Sequence, residues 1–431
     1  MASRGNTNRA AARTRKMRAR NFHFIRLFTA IICLCVAFAL GFIVRGHPHF
    51  LASLGLPSSI TGITQTQTAG DKSTSDDVYH SLSARVKEVD TLLKTDSLDT
   101  YELDPATDAV LTAIAEASND PFMRYYSNER YSELLTKQDE GYAGIGVLFS
   151  EYKGQAYVVD VFEGSAAQSK GVQEGDFVVS VDMDSSQTWS RSEVTARLAQ
   201  AVGTDVVITW RRPESLESDG GEEITTTLPC LEYDEPNVTR EYNKNQHVGY
   251  IKVRQITENA ALLAKQAVED LVGSGATSFV LDLRDNPGGY LSQAVDLASL
   301  FMSSGTVVEL QTTNGISAKT ASGQPITDAP LVVLINKNTA AAAEVVAAAL
   351  KESQRASLVG STTLGKGSVQ VVSQLSFGGA LRYTAAYYLT PEGHSIDQIG
   401  VTPTHPLEAA AAKQKSYAFE LAQSLAPSTN E

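Results

Sequence analysis

The spacing of apolar positions changes several times along the chain, and each change marks a different kind of element. Leu27 to Val44 is an unbroken run without a charged residue. It is at the short end of what crosses a hydrocarbon core of about 30 Å. Residues 45–75 are rich in Ser, Thr, Gln and Gly and keep no period, which reads as a flexible tether. Over 76–137 the pattern is helical: Leu82, Val86, Val89, Leu92 and Leu93 fall on one face. A second helix is expected over Thr107 to Ala117, after a break at Pro105 and before the stop at Asp120-Pro121.

Near Gly141 the period becomes that of strands. Tyr157 to Val161, Phe177 to Val181 and Asp205 to Trp210 are short β-rich runs bounded by Gly and Asp turns. One short helix, Ser192 to Ala201, lies among them. Five or six strands and about two helices predict a small, partly open β-barrel over 138–232. From 233 to 406 the pattern is α/β. Phe279 to Leu283 and Leu331 to Ile335 are continuous apolar strands, as in a sheet covered on both faces. The end, 407–431, is Ala-rich and reads as a helical tail.

Charge adds an orientation. The chain carries a net −13, yet residues 1–26 hold eight basic and no acidic residues. A basic arm before the apolar run and acidic chain after it put the N-terminus in the cytoplasm and the main body outside. The expected location is therefore the cell membrane, crossed once. A cleaved signal peptide would leave the body outside as well. The acidic body lacks the basic surface that a nucleic-acid partner requires. Cys33 and Cys35 lie in the apolar run and Cys230 stands alone, so the body has no intramolecular disulfide to draw on.

Three polar clusters in the α/β region carry the candidate chemistry. In Asp282-Leu283-Arg284-Asp285-Asn286-Pro287-Gly288-Gly289 a strand ends and paired glycines open a turn. Such a turn lets backbone N–H groups approach a developing negative charge. In Asn336 to Glu344 a strand runs into a small-residue helix, whose N-terminus carries free N–H groups. Gly360 to Gln370 nearly spells a phosphate-binding loop. However, Gly367 replaces the needed hydroxyl and a strand, not a helix, comes after it.

Taken in order, these segments resemble the C-terminal processing peptidases, or tail-specific proteases, from near residue 80 to about 403. The resemblance includes an inserted PDZ domain. Gly144-Ile145-Gly146-Val147 matches its peptide-holding loop and strand start, and Gly164-Ser165-Ala166-Ala167 and Gly175-Asp176-Phe177-Val178 match its next turn, helix and strand. It also includes the Asp-x-Arg-x-Asn-Pro-Gly-Gly turn, the Gly-Lys-Gly-x-Val-Gln strand and the closing Gly400-Val401-Thr402-Pro403. The implied fold is an α/β protease core of mixed sheet and flanking helices, with an inserted PDZ domain, an N-terminal helical segment and one transmembrane helix.

The resemblance also implies roles. A serine at the helix start attacks the peptide carbonyl, a lysine 25 residues on is the general base, and a glutamine four further on helps hold that lysine. The lysine maps to Lys366 and the glutamine to Gln370, but the nucleophile position is Ala341. Glu344 fixes the same register. The implied oxyanion hole is Gly288, Gly289 and Ala342. A lysine base works when desolvation lowers its pKa, but a methyl group cannot attack. Thr339 and Ser368 are the alternative hydroxyls. Ala341 is either a replacement in a complete peptidase or the native residue of a pseudoprotease that binds peptides. The expected partners are polypeptides with free C-termini and the membrane. No metal or organic cofactor is implied, and a homo-oligomer stays open.

Overall fold

The computed structural model describes residues 81–136, 144–233 and 236–426. The apolar run at Leu27 to Val44, the basic arm and the tether lie outside these residues. No described helix is long and apolar enough to cross a membrane.

The chain divides into two units, Met1–Thr100 and Tyr101–Glu431. The described part of the first is helix α1, Leu82–Asp96, started by Ser81, whose hydroxyl accepts from the Ala84 amide. The apolar positions expected to share a face do lie on this helix, and all five are exposed. The second unit opens with α2 (Leu103–Glu116), which starts earlier than its spacing suggests. Pro105 sits in its first turn, where a missing N–H costs no helical bond. Strand β1 (Arg124–Tyr126) and α3 (Asn128–Thr136) come after it.

A five-stranded antiparallel sheet is next, in the spatial order β2-β3-β4-β5-β6. Its strands are β2 (Val147–Tyr152), β3 (Gln155–Val161), β4 (Phe177–Val181), β5 (Asp205–Arg212) and β6 (Glu222–Pro229). Two short helices belong to it, α4 (Ala166–Ser169) and α5 (Arg191–Leu198). Ser190 and Glu193 cap α5 reciprocally, which places its start one residue before the expected one. The core of this domain joins Ile145, Val158, Val178, Leu198, Ile208, Trp210 and Leu228, all fully buried. Among the described residues β2 ends this strand order, and α5 packs beside it.

The largest sheet has six strands in the order β16-β13-β12-β9-β8-β7. These are β7 (Val238–Asn243), β8 (Val248–Val253), β9 (Ser278–Asp282), β12 (Leu331–Ile335), β13 (Ala356–Gly360) and β16 (His405–Pro406). All neighbours are parallel except β7 and β8. Burial on both faces explains why β9 and β12 are apolar at successive positions and not only at alternate ones. Phe279, Leu281, Val333 and Ile335 face α6 (Ala260–Gly273), α7 (Leu291–Ser299) and α8 (Ala342–Glu352). Val280, Val332 and Leu334 face α9 (Ala411–Leu425). The Ala-rich end read as a tail is therefore the layer that closes the second face, through Ala418, Phe419 and Ala422. A third sheet joins β1, β10 (Thr306–Thr312), β11 (Gly315–Thr320), β14 (Ser368–Gln374) and β15 (Ala380–Leu389).

Candidate active site

Ligands of open α/β sheets bind beyond the carboxyl ends of the strands. Here three neighbouring parallel strands, β9, β12 and β13, end in the three polar clusters. The loop after β9 is zipped to the loop after β12. The Asp285 carboxylate accepts from Asn336 Nδ2 (2.7 Å) and Asn338 Nδ2 (2.9 Å), and the Ala340 amide donates to the Asn286 carbonyl (2.9 Å). Thr339 Oγ1 donates to the Leu283 carbonyl at 2.8 Å and is fully buried. That hydroxyl is committed to holding the loops together, so it is not placed as a spare nucleophile.

Ala341 caps α8 with φ 51° and ψ −119°. This is the first corner of a type II′ turn, a conformation that normally asks for glycine. Glu344 holds the corner. Fully buried, it accepts from the amides of Ala341 (2.8 Å), Gly365 (2.7 Å) and Lys366 (2.8 Å) and from the Thr363 hydroxyl. The Ala341 and Lys366 amides meet at the same carboxylate oxygen, Oε2. The nucleophile position and the expected base are thereby tied to one point. Burial pushes the Glu344 carboxyl up to about 7 against the pull of its four donors.

Gly288 is pressed against this corner. A Cβ built on it would lie 2.8 Å from the Ala342 nitrogen and 2.9 Å from the Ala341 Cβ. Its own amide, however, donates to Asn286 Oδ1 at 2.9 Å. Gly288 therefore does not offer the N–H expected of it, because Asn286 ties the turn to itself and, through Nδ2, to the Val253 carbonyl. The Gly289 and Ala342 amides have no acceptor among the described residues. Gly289, at φ 150°, fits because a Cβ there would lie 2.0 Å from the Ile256 carbonyl oxygen.

Lys366 lies in the loop before β14, its side chain 12% exposed, with its Nζ 5.4 Å from the centre of the Phe122 ring. Burial lowers its pKa to about 8. Gln370 does not hold it. The Gln370 Nε2 donates to Ser368 Oγ (2.9 Å) and Thr384 Oγ1 (3.5 Å), because β14 has begun and a bulge between Val369 and Gln370 turns the amide toward β15. Ser368 is thus bonded to Gln370, not presented to Lys366. The charged partner of Lys366 comes from β2: Glu151 Oε2 is 4.0 Å from Nζ. Arg382 Nη2 donates to the other Glu151 oxygen at 2.8 Å, and the Arg191 amide donates to Oε2 at 3.2 Å. Burial alone would raise the Glu151 carboxyl; Lys366 and Arg382 overcome it and hold the group down at about 2. Sequence reading missed Glu151, Arg191 and Arg382. They lie in different segments and no spacing joins them.

A cleft of about 690 Å³ opens beside the lysine, lined by Phe122, Glu151, Tyr152, Leu364, Lys366 and Tyr387 among others. A second cavity, of about 280 Å³, lies between β2 and α5. Val147, Leu148, Phe149, Arg191 and Thr195 line it, together with Arg254, Gln255 and Thr257 after β8. Of the four residues expected to hold a peptide end, only Val147 borders this cavity. Gly144 pairs with Leu231, its amide donating at 2.9 Å. Ile145 is buried in the core, and Gly146, at φ 82°, packs on Ser165.

The layout is a mixed α/β sheet covered on both faces, with its polar loops gathered at the carboxyl ends of parallel strands. The model of Peptidase family S41 matches residues 247–407. The carboxyl-terminal-processing protease of Synechocystis sp. is 33% identical over 304 residues, covering 69% of this chain and 70% of that protein. The carboxy-terminal processing protease CtpA of Bacillus subtilis is 28% identical over 347 residues, 80% of this chain and 72% of its own. The solved photosystem II D1 C-terminal processing protease superposes with a TM-score of 0.63 at 27% identity, over 80% of this chain and 91% of that one. The chain belongs to peptidase family S41, among the carboxyl-terminal processing proteases.

Proposed function

We propose that this chain binds polypeptides by their free C-termini in an S41 cleft whose nucleophile position is alanine, so that it holds substrates without cutting them. The observation that carries this is the Ala341 corner. It keeps the strained turn, shares Glu344 with Lys366 and abuts Gly288, yet has a methyl group where chemistry needs an oxygen. Lys366 is the base of the reaction that a serine at 341 would perform, and Gly289 and Ala342 supply the amides for the oxyanion. The domain of β2 to β6 is a PDZ domain, and the cavity between β2 and α5 is its peptide groove. An edge strand beside a helix is the geometry by which such domains add a peptide as a further strand. The basic arm and the apolar run at Leu27 to Val44 support a membrane anchor with the body outside the cytoplasm.

The test is cleavage of an unstructured protein by the full chain, with Ala341 and with Ala341→Ser. The alanine form is expected to bind without cutting. The serine form cuts, with an acid limb near pH 8 because only the neutral Lys366 amine accepts the serine proton. Lys366→Ala abolishes that cutting. Cleavage by the alanine form would overturn the reading. A serine form that stays silent would remove the peptidase site from it.

A further inference from the structure

Among the described residues, the charges that act on Lys366 most strongly come from four elements: Glu151 on β2, Arg191 on α5, Arg382 on β15 and Glu344 on α8. Two belong to the inserted domain and two to the core. Glu344 is spent on three backbone amides and a hydroxyl, so its carboxylate fixes the loop and not the amine. The two arginines repel a lysine cation. Glu151 is the remaining group, and it is the one that approaches Nζ, at 4.0 Å.

We propose that Glu151 is a positioning residue of the lysine base, a carboxylate carried in from the inserted domain that holds the Lys366 amine at its station in the cleft. The geometry supports this from both sides. Glu151 is itself nearly fully buried and clamped by the Arg382 guanidinium and the Arg191 amide. The Arg191 guanidinium reaches across to the Pro287 carbonyl, at 3.3 Å, in the turn that carries Gly288 and Gly289. The inserted domain therefore touches the base on one side and the glycine turn on the other. On this view neither domain alone makes the site, because the carboxylate that pairs with the Lys366 amine is carried by the inserted domain. Burial lowers the affinity of Lys366 for its proton and Glu151 restores part of it. The inference rests on the assignment of Lys366 as base, but its test does not depend on cleavage.

The experiment is trace acylation of the Ala341 chain with acetic anhydride across pH 5 to 11, with modification of Lys366 read by peptide mass spectrometry. The parent midpoint is expected near about 8. Glu151→Gln keeps the shape, removes the charge and leaves the two arginines. Its midpoint should fall by at least about one pH unit, the effect of an opposite charge at this range. Glu151→Asp keeps the charge but withdraws it by one methylene, and its midpoint should fall by less. A residue that only packs the domain junction would lower the melting temperature and leave the midpoint in place; that result overturns the proposal. Should Glu151→Gln fail to fold, judged by the fluorescence of the buried Trp189 and Trp210, Glu151→Asp decides by the same criterion. In the Ala341→Ser background the acid limb of cleavage should move with the labelling midpoint. If that form never cuts while the midpoint still shifts, the peptidase reading fails and the positioning role stands.

Discussion

Replacing Ala341 with glycine should make the protein more stable, although glycine inside a helix ordinarily destabilises it by about 0.5–1 kcal/mol. At φ 51° and ψ −119° the alanine Cβ is held where L-residues are disfavoured. Such positions cost of order 1–3 kcal/mol and persist only when their surroundings over-determine them. The surroundings here are visible: Glu344 grips the Ala341 amide, the loops after β9 and β12 are zipped together, and Gly288 blocks the other side. Glycine removes the strain and returns about 0.4–1 kcal/mol of disorder to the unfolded chain. The methyl it deletes is partly exposed and contributes little. The net gain is about 1 kcal/mol, or roughly 1–2 °C in melting temperature for a unit of this size. Differential scanning calorimetry of Ala341→Gly beside Ala341→Ser reads it, and the serine form, with the same Cβ in the same corner, should melt with the parent. Ala342→Gly, one residue into the helix, should lose about 0.5–1 kcal/mol instead. A glycine form at 341 that melts lower than the parent would refute the argument, since the turn would then not be strained.

Other outcomes concern groups around the same loops. Gly289→Ala would drive a Cβ to 2.0 Å from the Ile256 carbonyl oxygen at φ 150°, and should cost more than about 3 kcal/mol in chemical denaturation. Asp282→Ala would strand the buried Arg284 and the Tyr250 hydroxyl, both of which bond that carboxylate, at a cost of roughly 3–5 kcal/mol by the same measurement. Glu151 is held below its ordinary range, from 4.5 down to about 2. Its contribution is present above pH 4.5 and lost as pH falls through 2, so the stability gap between parent and Glu151→Gln, read by melting, should shrink by roughly 3 kcal/mol over that window.

The sheet and its loops were legible because the physics that builds them is local. A strand covered on both faces must be apolar throughout, so β9 and β12 announced themselves. A turn pressed on a neighbouring carbonyl must be glycine, so Gly288-Gly289 marked the first loop. Ala341, Glu344 and Lys366 were located by the family resemblance and not by local physics, and the fold gathers them at one carboxylate. Sequence reading failed where an amide or a face has several partners to choose from. Gln370 was expected to hold Lys366, but its register on β14 gives it Ser368 and Thr384. The Gly288 amide was expected to be free, but the asparagine two residues earlier takes it. The Ala-rich end had no stated partner because its period shows a buried stripe without saying which sheet buries it.

What spacing could not show is the junction between the inserted domain and the core. Glu151, Arg191 and Arg382 are separated by 40 and 191 residues, and each alone is an ordinary charge beside a β-strand or a helix. Only the fold turns them into one group. Desolvation makes that group costly, since burying an acid without its partners carries a penalty of several kcal/mol. The acid is tolerated because Arg382 and Lys366 stand on either side of it. Removing either cation should therefore weaken the placement of the other domain as well as the local charge. Lys366→Ala is then not a clean catalytic deletion, and Lys366→Met, which keeps the volume, isolates the lost charge better. If both variants shift the Glu151-dependent acid transition equally, the lysine acts on Glu151 by charge. If only the alanine form does, the volume of the side chain is what locks the junction.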